Sequence, residues 1–404
     1  MSVLIAILGL AFLILVHEAG HFFTARAVRM RPRRFYIGFP PALAKVTRNG
    51  IEYGIGAIPL GGYVKIPGMH RPAGSDVEVY FARPLREAPQ LIGPLERLKR
   101  RLAVDDLVGA RAELPEVKDA IGRAKLSAES QRAAERGLVE IDDGLAEDAY
   151  WRQPTWKRVT VILAGPATNL VFAVALFAAL FFVGGGKATS TIDQVLPGKP
   201  AAAIGLRPGD QVITVNDVVV QPDQIADHIS GSQGKPLTLE VQRDGRILTL
   251  GPVRPQKIEG SYRLGFVLRG EKLSVGESSW QSVKLTGTVT REIGKSIGRL
   301  VHGEGRKDIS SPVGISQTLN TAQKQGMETY LWVLGLISLS LALMNLLPLL
   351  PLDGGHIAFS LVEGLRGRAI GREIYERVSV IGIALVLFLF FIGLSNDLNR
   401  LGGS

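Results

Sequence analysis

The chain contains four apolar segments, each long enough to cross a lipid bilayer, which takes about 20 helical residues. They lie at residues 3–28, 159–183, 330–347 and 378–394. Ser338, Ser340 and Asn345 interrupt the third segment. A spanning helix with a polar face usually turns that face toward protein rather than toward lipid. The pattern therefore predicts a polytopic α-helical membrane protein with four transmembrane helices.

A small β-sheet is predicted after the first span. Residues 35–66 alternate between apolar and polar positions, and Asn49-Gly50 separates two of the alternating runs. An Asn-Gly pair between such runs is a strong signal for a two-residue hairpin. We therefore predict a membrane-associated β-sheet on the cytoplasmic side.

The next segment, residues 83–147, has a different composition, since it is rich in Arg, Glu, Ala and Leu. Its apolar side chains recur at helical spacing, as at Leu91, Leu95, Leu98 and Leu102. This spacing predicts two or three amphipathic helices. A solvated helical insert without chemistry is favoured over a surface with a binding role.

Residues 189–255 show short alternating runs separated by turns that contain glycine, which indicates a compact α/β unit. Asp244-Gly245 lies between two of these runs and predicts a second hairpin. Residues 197–216 resemble the helix–turn–strand portion of bacterial PDZ domains, which bind an extended peptide at a sheet edge. A PDZ-shaped spacer that binds nothing is an equally weighted alternative.

These patterns divide the chain into consecutive segments. In order, we predict a transmembrane helix at residues 1–28, the β-sheet at 29–82, the cytoplasmic helical insert at 83–150, a second transmembrane helix at 151–185, a PDZ-like domain at 186–258, an extracytoplasmic linker with a surface helix at 259–328, a third transmembrane helix at 329–356 and a fourth at 370–396.

Charge decides the predicted orientation. The 404 residues include 47 Lys and Arg against 37 Asp and Glu, a formal net charge of +10. These basic residues crowd the ends of apolar segments, as cytoplasmic flanks do, and no interleaved aromatic pattern indicates a nucleic-acid partner. The positive-inside rule places residues 29–158 and 348–377 in the cytoplasm and both termini outside. The chain has no cysteine, which excludes disulfides and thiolate metal ligands.

The first span contains the strongest chemical signal, His17-Glu18-Ala19-Gly20-His21. Two histidines four residues apart share one face of a helix and can bind the same metal ion. Glu18 stands beside the first ligand, where it can take a proton from an activated water molecule. Two histidines and a glutamate are costly at membrane depth, so the motif predicts a zinc hydrolase site rather than a structural cluster.

A third metal ligand is expected, because catalytic zinc usually has three protein ligands and one open position. The run from Asn345 to His356 contains two prolines, Asp353 and a Gly pair. Prolines and glycines at membrane depth imply a broken helix, which is tolerated only inside protein or beside water. Asp353 is therefore a good candidate for the third ligand. His356, three residues on, is a rival ligand, and a role of Asp353 as a helix N-cap is the structural alternative.

The second span contains Gly165-Pro166-Ala167-Thr168-Asn169. The Gly-Pro pair loosens the helix and allows close packing. The Asn169 amide is suited to hold a substrate carbonyl or an oxyanion. A hydrogen bond between helices is the slightly favoured alternative for this side chain.

Together these motifs resemble the site-2 protease family of intramembrane zinc metalloproteases. HEAGH in the first span, GPATN in the second and NLLPLLPLDGG in the third occur in the family order, and the match covers nearly all of the chain. The run GGYVK resembles the membrane-reentrant β-loop of the family and places Gly61, Gly62 and Tyr63 at the substrate. The implied site has the following residues: zinc ligands His17, His21 and Asp353, catalytic Glu18, and substrate-proximal Asn169 and Asn345.

The single PDZ-like domain between the second and third spans is similar to that of the bacterial sigma-E-regulating proteases of this family. The resemblance implies the bacterial inner membrane as the location, with the active site near the cytoplasmic side and the PDZ-like domain outside. It implies an anti-sigma factor or a similar single-pass transmembrane protein as the substrate. The helical insert departs from the usual family pattern.

Two functions from other classes remain as alternatives. A non-catalytic membrane scaffold would bind a peptide through its PDZ-like domain, and the metal-binding motif would then have no role. A metal transporter would use the intramembrane histidines as a path, but transporters usually contain internal repeats, and none is evident in this sequence.

Overall fold

The computed structural model describes residues 2–184, 187–258, 261–306, 309–368, 370 and 372–402. Within these residues, four helices are long and apolar enough to cross a membrane: Leu4–Ala27, Thr155–Gly184, Met327–Asn345 and Ile374–Arg400. The chain divides into two compact units. The first contains residues 1–172, 292–326 and 336–404, and the second contains residues 173–291 and 327–335.

The first unit begins with α1 (Ser2–Ala27), followed by β1 (Arg34–Arg48) and β2 (Ile51–Lys65). The predicted hairpin is confirmed, because Asn49 and Gly50 have φ values of 53° and 77°, which two-residue turns of this kind require. Residues 34–37 pair with residues 52–55 on one side and with residues 62–65 on the other. The two long strands thus form a small sheet in which residues 62–65 are an edge among the described strands.

The helical insert contains more helix than the pattern predicted. Four α-helices follow the sheet within the described residues: α2 (Gly74–Glu87), α3 (Ile92–Ala103), α4 (Leu107–Arg123) and α5 (Ala128–Leu145). The first begins before residue 83, and Val77, Phe81 and Pro84 supply its buried face. Proline is unfavourable inside a helix, so Pro84 made this helix difficult to predict from the sequence. The four helices enclose one apolar core that includes Phe81, Leu95 and Leu98.

The second unit follows the first part of α6 (Thr155–Gly184) and is an α/β body. Its elements are β3 (Lys187–Val195), α7 (Pro200–Ala203), β4 (Gln211–Val215), β5 (Val218–Val219), α8 (Ile225–Gly231), β6 (Leu237–Arg243), β7 (Arg246–Val253), β8 (Gln256–Ile258), β9 (Ser261–Arg263) and β10 (Phe266–Glu271). The main sheet has the order β10-β3-β4-β6-β7, with β5 paired to β4. The second predicted hairpin is confirmed at Asp244-Gly245, whose φ values are 50° and 78°.

A buried ion pair ties β6 to the turn before β4 in this unit. Asp210 is 1% exposed and accepts hydrogen bonds from the Arg243 guanidinium at 2.6 and 2.7 Å. The Arg207 backbone amide donates a third bond at 2.8 Å. Burial by itself raises the pKa of the Asp210 carboxyl, but the bonds from Arg243 and Arg207 outweigh burial and hold that pKa below its usual range.

The remaining helices are α9 (Val275–Val301), α10 (Pro312–Gln325), α11 (Met327–Asn345), α12 (Asp353–Arg366) and α13 (Arg372–Gly402). The broken helix that the prolines and glycines predict is observed within the segment 329–356. Residues 346–352 are not α-helical, and α12 begins at Asp353. Pro348 and Pro351 explain the interruption, since neither has an amide hydrogen to donate along a helix.

We predict that the second unit loses stability when Asp210 is protonated. The folded pKa of Asp210 lies below the unfolded value of about 3.9. The stabilisation that the ionised Asp210 gives to the folded unit is therefore complete above the unfolded value and is lost as the pH falls through the folded pKa. At pH 7, Asp210→Asn should lower the free energy of unfolding by about 3 kcal/mol, because Arg243 loses its charged partner. Hydrogen exchange of β4 and β6 in the full chain, corrected for intrinsic rates, measures this change.

Asp244→Asn is the matched control, since Asp244 is exposed at the turn of β6 and β7 and asparagine tolerates its positive φ. Protection of the two strands should stay unchanged in this variant. Equal loss of protection in both variants would contradict the prediction.

Candidate metal centre

The first two predicted ligands lie on α1, one helical turn apart. The Nε2 atoms of His17 and His21 are 3.3 Å from each other. Both side chains are largely buried, with 12% and 8% of their surfaces exposed. Because side chains four residues apart share a helix face, α1 by itself aims both imidazoles at one point.

Asp353 reaches the same point from the first turn of α12. Its Oδ2 atom lies 3.1 Å from His17 Nε2 and 3.3 Å from His21 Nε2. The ligand atoms of His17, His21 and Asp353 form a group within 4.8 Å among the described residues. The three residues that the sequence proposed as ligands thus lie in one cluster. All three belong to the first unit.

The triangle has the dimensions of a zinc site. Zinc bonds of about 2.0–2.1 Å in a tetrahedron separate the ligand atoms by about 3.3 Å. The three measured separations are 3.1, 3.3 and 3.3 Å. Asp353 Oδ2 is also buried with no hydrogen-bond partner among the described residues. A divalent cation bound by the three atoms would compensate this carboxylate, so the residues fit zinc.

The second helix of the site, α6, sets the orientation of His21. The Nδ1–H group of His21 donates to the buried Val161 carbonyl at 2.8 Å. This bond fixes the tautomer in which the Nε2 lone pair is free to coordinate a metal. Ring position and tautomer are therefore determined by the backbone of a neighbouring helix.

Gly165 provides the space that the two imidazoles occupy. A β-carbon at this position would collide with the Nε2 atom of His21 and crowd that of His17. On the facing helix, a β-carbon at Gly20 would collide with the Ala164 carbonyl and the Thr168 hydroxyl. The sequence predicts close packing at Gly165, and the structure adds that the neighbours are the imidazoles of the two candidate ligands.

The start of α12 depends on the glycine pair after Asp353. A β-carbon on Gly354 would collide with the carbonyls of Leu346 and Leu347. A β-carbon on Gly355 would crowd the backbone of Leu349 and Leu350. The non-helical segment therefore folds back against the first turn of α12, and this fold-back carries Asp353 to the histidines.

The proposed catalytic Glu18 lies beside the edge of the β-sheet. The backbone amide of Val64 is within hydrogen-bonding range of Glu18, and a β-carbon on Gly62 would collide with the Glu18 side chain. Gly61 packs against the Phe39 ring, and Tyr63 is half-buried. The structure thus brings the predicted β-loop to the motif on α1.

Asn169 is fully buried on α6, and neither atom of its side-chain amide has a hydrogen-bond partner among the described residues. Its backbone carbonyl accepts a bond from the Ser338 hydroxyl on α11 at 2.9 Å. The alternative of a side-chain hydrogen bond between helices is therefore not observed in the described part of the chain. Asn345 is the last residue of α11 and is half-buried.

The two alternatives for the third ligand position were His356 as the ligand and Asp353 as a helix N-cap, and the structure supports neither. The Tyr375 hydroxyl and His356 Nδ1 share a hydrogen bond of 2.5 Å, and His356 is not in the cluster formed by His17, His21 and Asp353 among the described residues. Leu352, not Asp353, is the N-cap residue of α12. The geometry therefore favours Asp353 as the third ligand over both alternatives.

One supporting network had no signal in the sequence. Arg158 on α6 forms an ion pair with Glu363 on α12, and both side chains are largely buried. The hydroxyls of Tyr150 and Ser360 lie 2.9 Å apart in the same region. These contacts hold α12 against the start of α6, and no local motif predicts them because their partners are far apart in the chain.

Comparison with known proteins agrees with this chemistry. The profile of peptidase family M50 matches residues 5–389. A Lactococcus lactis protein named as a zinc metalloprotease is 27% identical over 413 residues, which cover 96% of this chain and 96% of that protein. A Brucella suis protein with a similar name is 29% identical, with 96% and 93% covered. The Caulobacter vibrioides metalloprotease MmpA is 26% identical, with 97% and 94% covered.

We predict that Gly165→Ala weakens zinc binding by about 10- to 100-fold, a range typical of disturbed support around metal ligands. The added methyl group would displace His21 and crowd His17. Alanine is a better helix former than glycine, so weakening of α6 would not explain the loss. Competition with a chromophoric chelator, carried out on purified protein, measures the affinity.

Leu163→Ala is the control for this experiment, because Leu163 lies on the same helix but is 41% exposed. Its zinc affinity should equal that of the unaltered chain. Retention of full affinity in Gly165→Ala would show that the imidazoles do not depend on this space.

Proposed function

The chain belongs to peptidase family M50 and is a zinc metalloprotease with apolar helices of membrane-spanning length, and from this premise we propose that it cleaves peptide bonds within transmembrane segments of single-pass membrane proteins. The main observation that supports this proposal is the cluster of His17, His21 and Asp353. His17 and His21 lie within a candidate membrane span. Ionisable side chains at such depth usually mark function.

In this proposal, His17, His21 and Asp353 hold the zinc ion. When bound, zinc supplies a Lewis acid that polarises a carbonyl and lowers the pKa of a water molecule. Glu18 takes the proton of the attacking water and returns it to the leaving amine. Asn169, whose buried amide has no partner among the described residues, is suited to stabilise the oxyanion.

A transmembrane substrate must unwind, because a helix hides its backbone in internal hydrogen bonds. Residues 62–65 form an edge among the described strands and lie beside Glu18. An unwound segment would add to this edge as a further strand, with Gly61 and Gly62 allowing close approach and Tyr63 contacting the substrate. Asn345 would contribute at the end of α11.

The α/β body of the second unit is proposed to act as a PDZ-like gate. The motif at residues 197–216 supports this assignment, and the sheet with its short helices is compatible with it. Outside the membrane, such a gate would admit substrates already shortened by another protease. The proposed location is the bacterial inner membrane, with an anti-sigma factor as the proposed class of substrate.

The basic flanks support the proposed orientation, in which residues 29–158 face the cytoplasm. The non-catalytic scaffold and the metal transporter are less compatible with a zinc metalloprotease assignment. Neither role requires Glu18 beside a metal cluster.

We predict that Glu18→Gln keeps zinc but lowers the cleavage rate of a membrane-embedded reporter by about 100- to 10,000-fold. The amide cannot transfer the proton, while the three ligands stay in place. Zinc content and cleavage are measured on the same reconstituted sample. Glu78→Gln on the exposed surface of α2 is the control, and unchanged cleavage in Glu18→Gln would exclude this mechanism.

We predict that deletion of residues 189–255 raises cleavage of a full-length substrate relative to a version shortened outside the membrane. Removal of the gate should abolish the preference for the shortened form. The ratio of the two cleavage rates is the readout, and zinc content monitors the first unit. An unchanged ratio with normal zinc content would refute gating by this domain.

A further inference from the structure

A cleft lined by basic side chains lies between the β-sheet and the helical insert, within the first unit. The cationic side chains that line it are Arg34, Lys45, Lys65, Arg83, Arg132 and Arg136. The first three belong to the strands, and the last three belong to α2 and α5. We call this feature the basic cleft, and the proposed mechanism makes no use of it.

Six cations line the basic cleft against three carboxylates, Glu129, Glu135 and Glu140, and two of the cations have no carboxylate partner among the described residues. Arg34 and Lys45 share Glu52, while Lys65 pairs with Glu140 and Asp143, and Arg83 pairs with Glu129. In contrast, the Nε groups of Arg132 and Arg136 donate only to backbone carbonyls one turn earlier. Among the described residues, neither has an ion pair with a carboxylate.

The insert fixes the direction in which the two arginines point. Ala134, Gly137 and Ile141 form the buried face of α5, and Gly137 packs against the side chains of Tyr80 and Phe81. Arg132 and Arg136 are four residues apart on the exposed side of the helix. Because the buried face is held by the core, α5 cannot rotate these charges away from the cleft.

The sheet edge connects the basic cleft to the proposed catalytic residue. Gly62 lies against Glu18, while Lys65, at the end of the same edge, lines the cleft. Three residues of extended strand span about 10 Å. A substrate strand added to this edge would therefore enter the cleft a few residues after passing Glu18. This step rests on the proposed function.

We propose that the basic cleft binds an acidic stretch on the cytoplasmic side of the substrate's transmembrane segment and thereby selects substrates. Its two walls accommodate an extended peptide, which carries spaced charges. Glu129, Glu135 and Glu140 are interspersed among the cations and oppose a dense anionic lipid surface. Charge complementarity thus favours an acidic peptide over lipid headgroups.

The test measures binding independently of cleavage. The probe is a fluorescein-labelled peptide with four spaced Asp and Glu residues, compared with its Asn and Gln counterpart. Each is titrated with full-length Glu18→Gln protein in nanodiscs of neutral lipid. The acidic peptide should bind more tightly than the neutral one, and R132E/R136E should weaken its binding about tenfold. R132K/R136K, which keeps the charge, should bind like the parent.

The matched control is R100E/R123E. Arg100 and Arg123 are exposed helix residues whose Nε groups also donate to carbonyls one turn earlier, but they lie outside the basic cleft. Acidic peptide binding should be unchanged in this variant. Equal binding of the two peptides, equal losses in both double variants, or a loss in R132K/R136K as large as in R132E/R136E would overturn the proposal.

Two further arms separate lipid from peptide and binding from catalysis. Nanodiscs with phosphatidylglycerol should reduce peptide binding only weakly. Loss of binding to the level of the neutral peptide would assign the cleft to lipid headgroups and overturn the proposal.

With active protein, reporters carrying the acidic stretch should be cleaved about tenfold more slowly by R132E/R136E, and cleavage of neutral reporters should be unaffected. Peptide binding without any reporter cleavage would instead disprove the proposed protease function alone.

Discussion

The structure of the first unit depends on a single constraint, the convergence of two imidazoles and one carboxylate in an apolar environment. His17, His21 and Asp353 are largely buried, and their ligand atoms lie 3.1–3.3 Å apart. A carboxylate so placed is unfavourable unless a cation or donor compensates it. The surrounding helices are arranged to satisfy this requirement and to keep room for a metal ion.

Three different features of the backbone meet that constraint. The Val161 carbonyl orients one imidazole, and the missing side chain at Gly165 leaves space for both. The glycines after Asp353 let the broken segment fold back onto α12, which brings the carboxylate to the histidines. A continuous helix through residues 346–352 would have carried Asp353 along a different path, so the interruption is part of the site.

In the proposed function, substrate recognition and hydrolysis belong to different parts of the chain. The edge at residues 62–65 lies beside Glu18, the helical insert adds charged side chains next to this edge, and the α/β body has a core of its own. In the proposed function, the three ligands would hold the zinc ion beside Glu18 for hydrolysis of the peptide bond. The sheet edge, the insert and the α/β body would determine which chains reach it. The physical basis is that a metal site needs rigid packing, whereas recognition needs exposed edges and unpaired charges.

The sequence by itself determined the features that depend on local order. Four apolar segments, the shared face of His17 and His21, and the turn at Asn49-Gly50 follow from helix period, span length and backbone preference. Only the tertiary structure placed Asp353 rather than His356 beside the histidines, brought Gly165 close to both rings, and placed Arg132 in the same cleft as residues of the sheet. Those outcomes depend on packing between segments distant in the chain, and no local pattern encodes which distant surfaces meet.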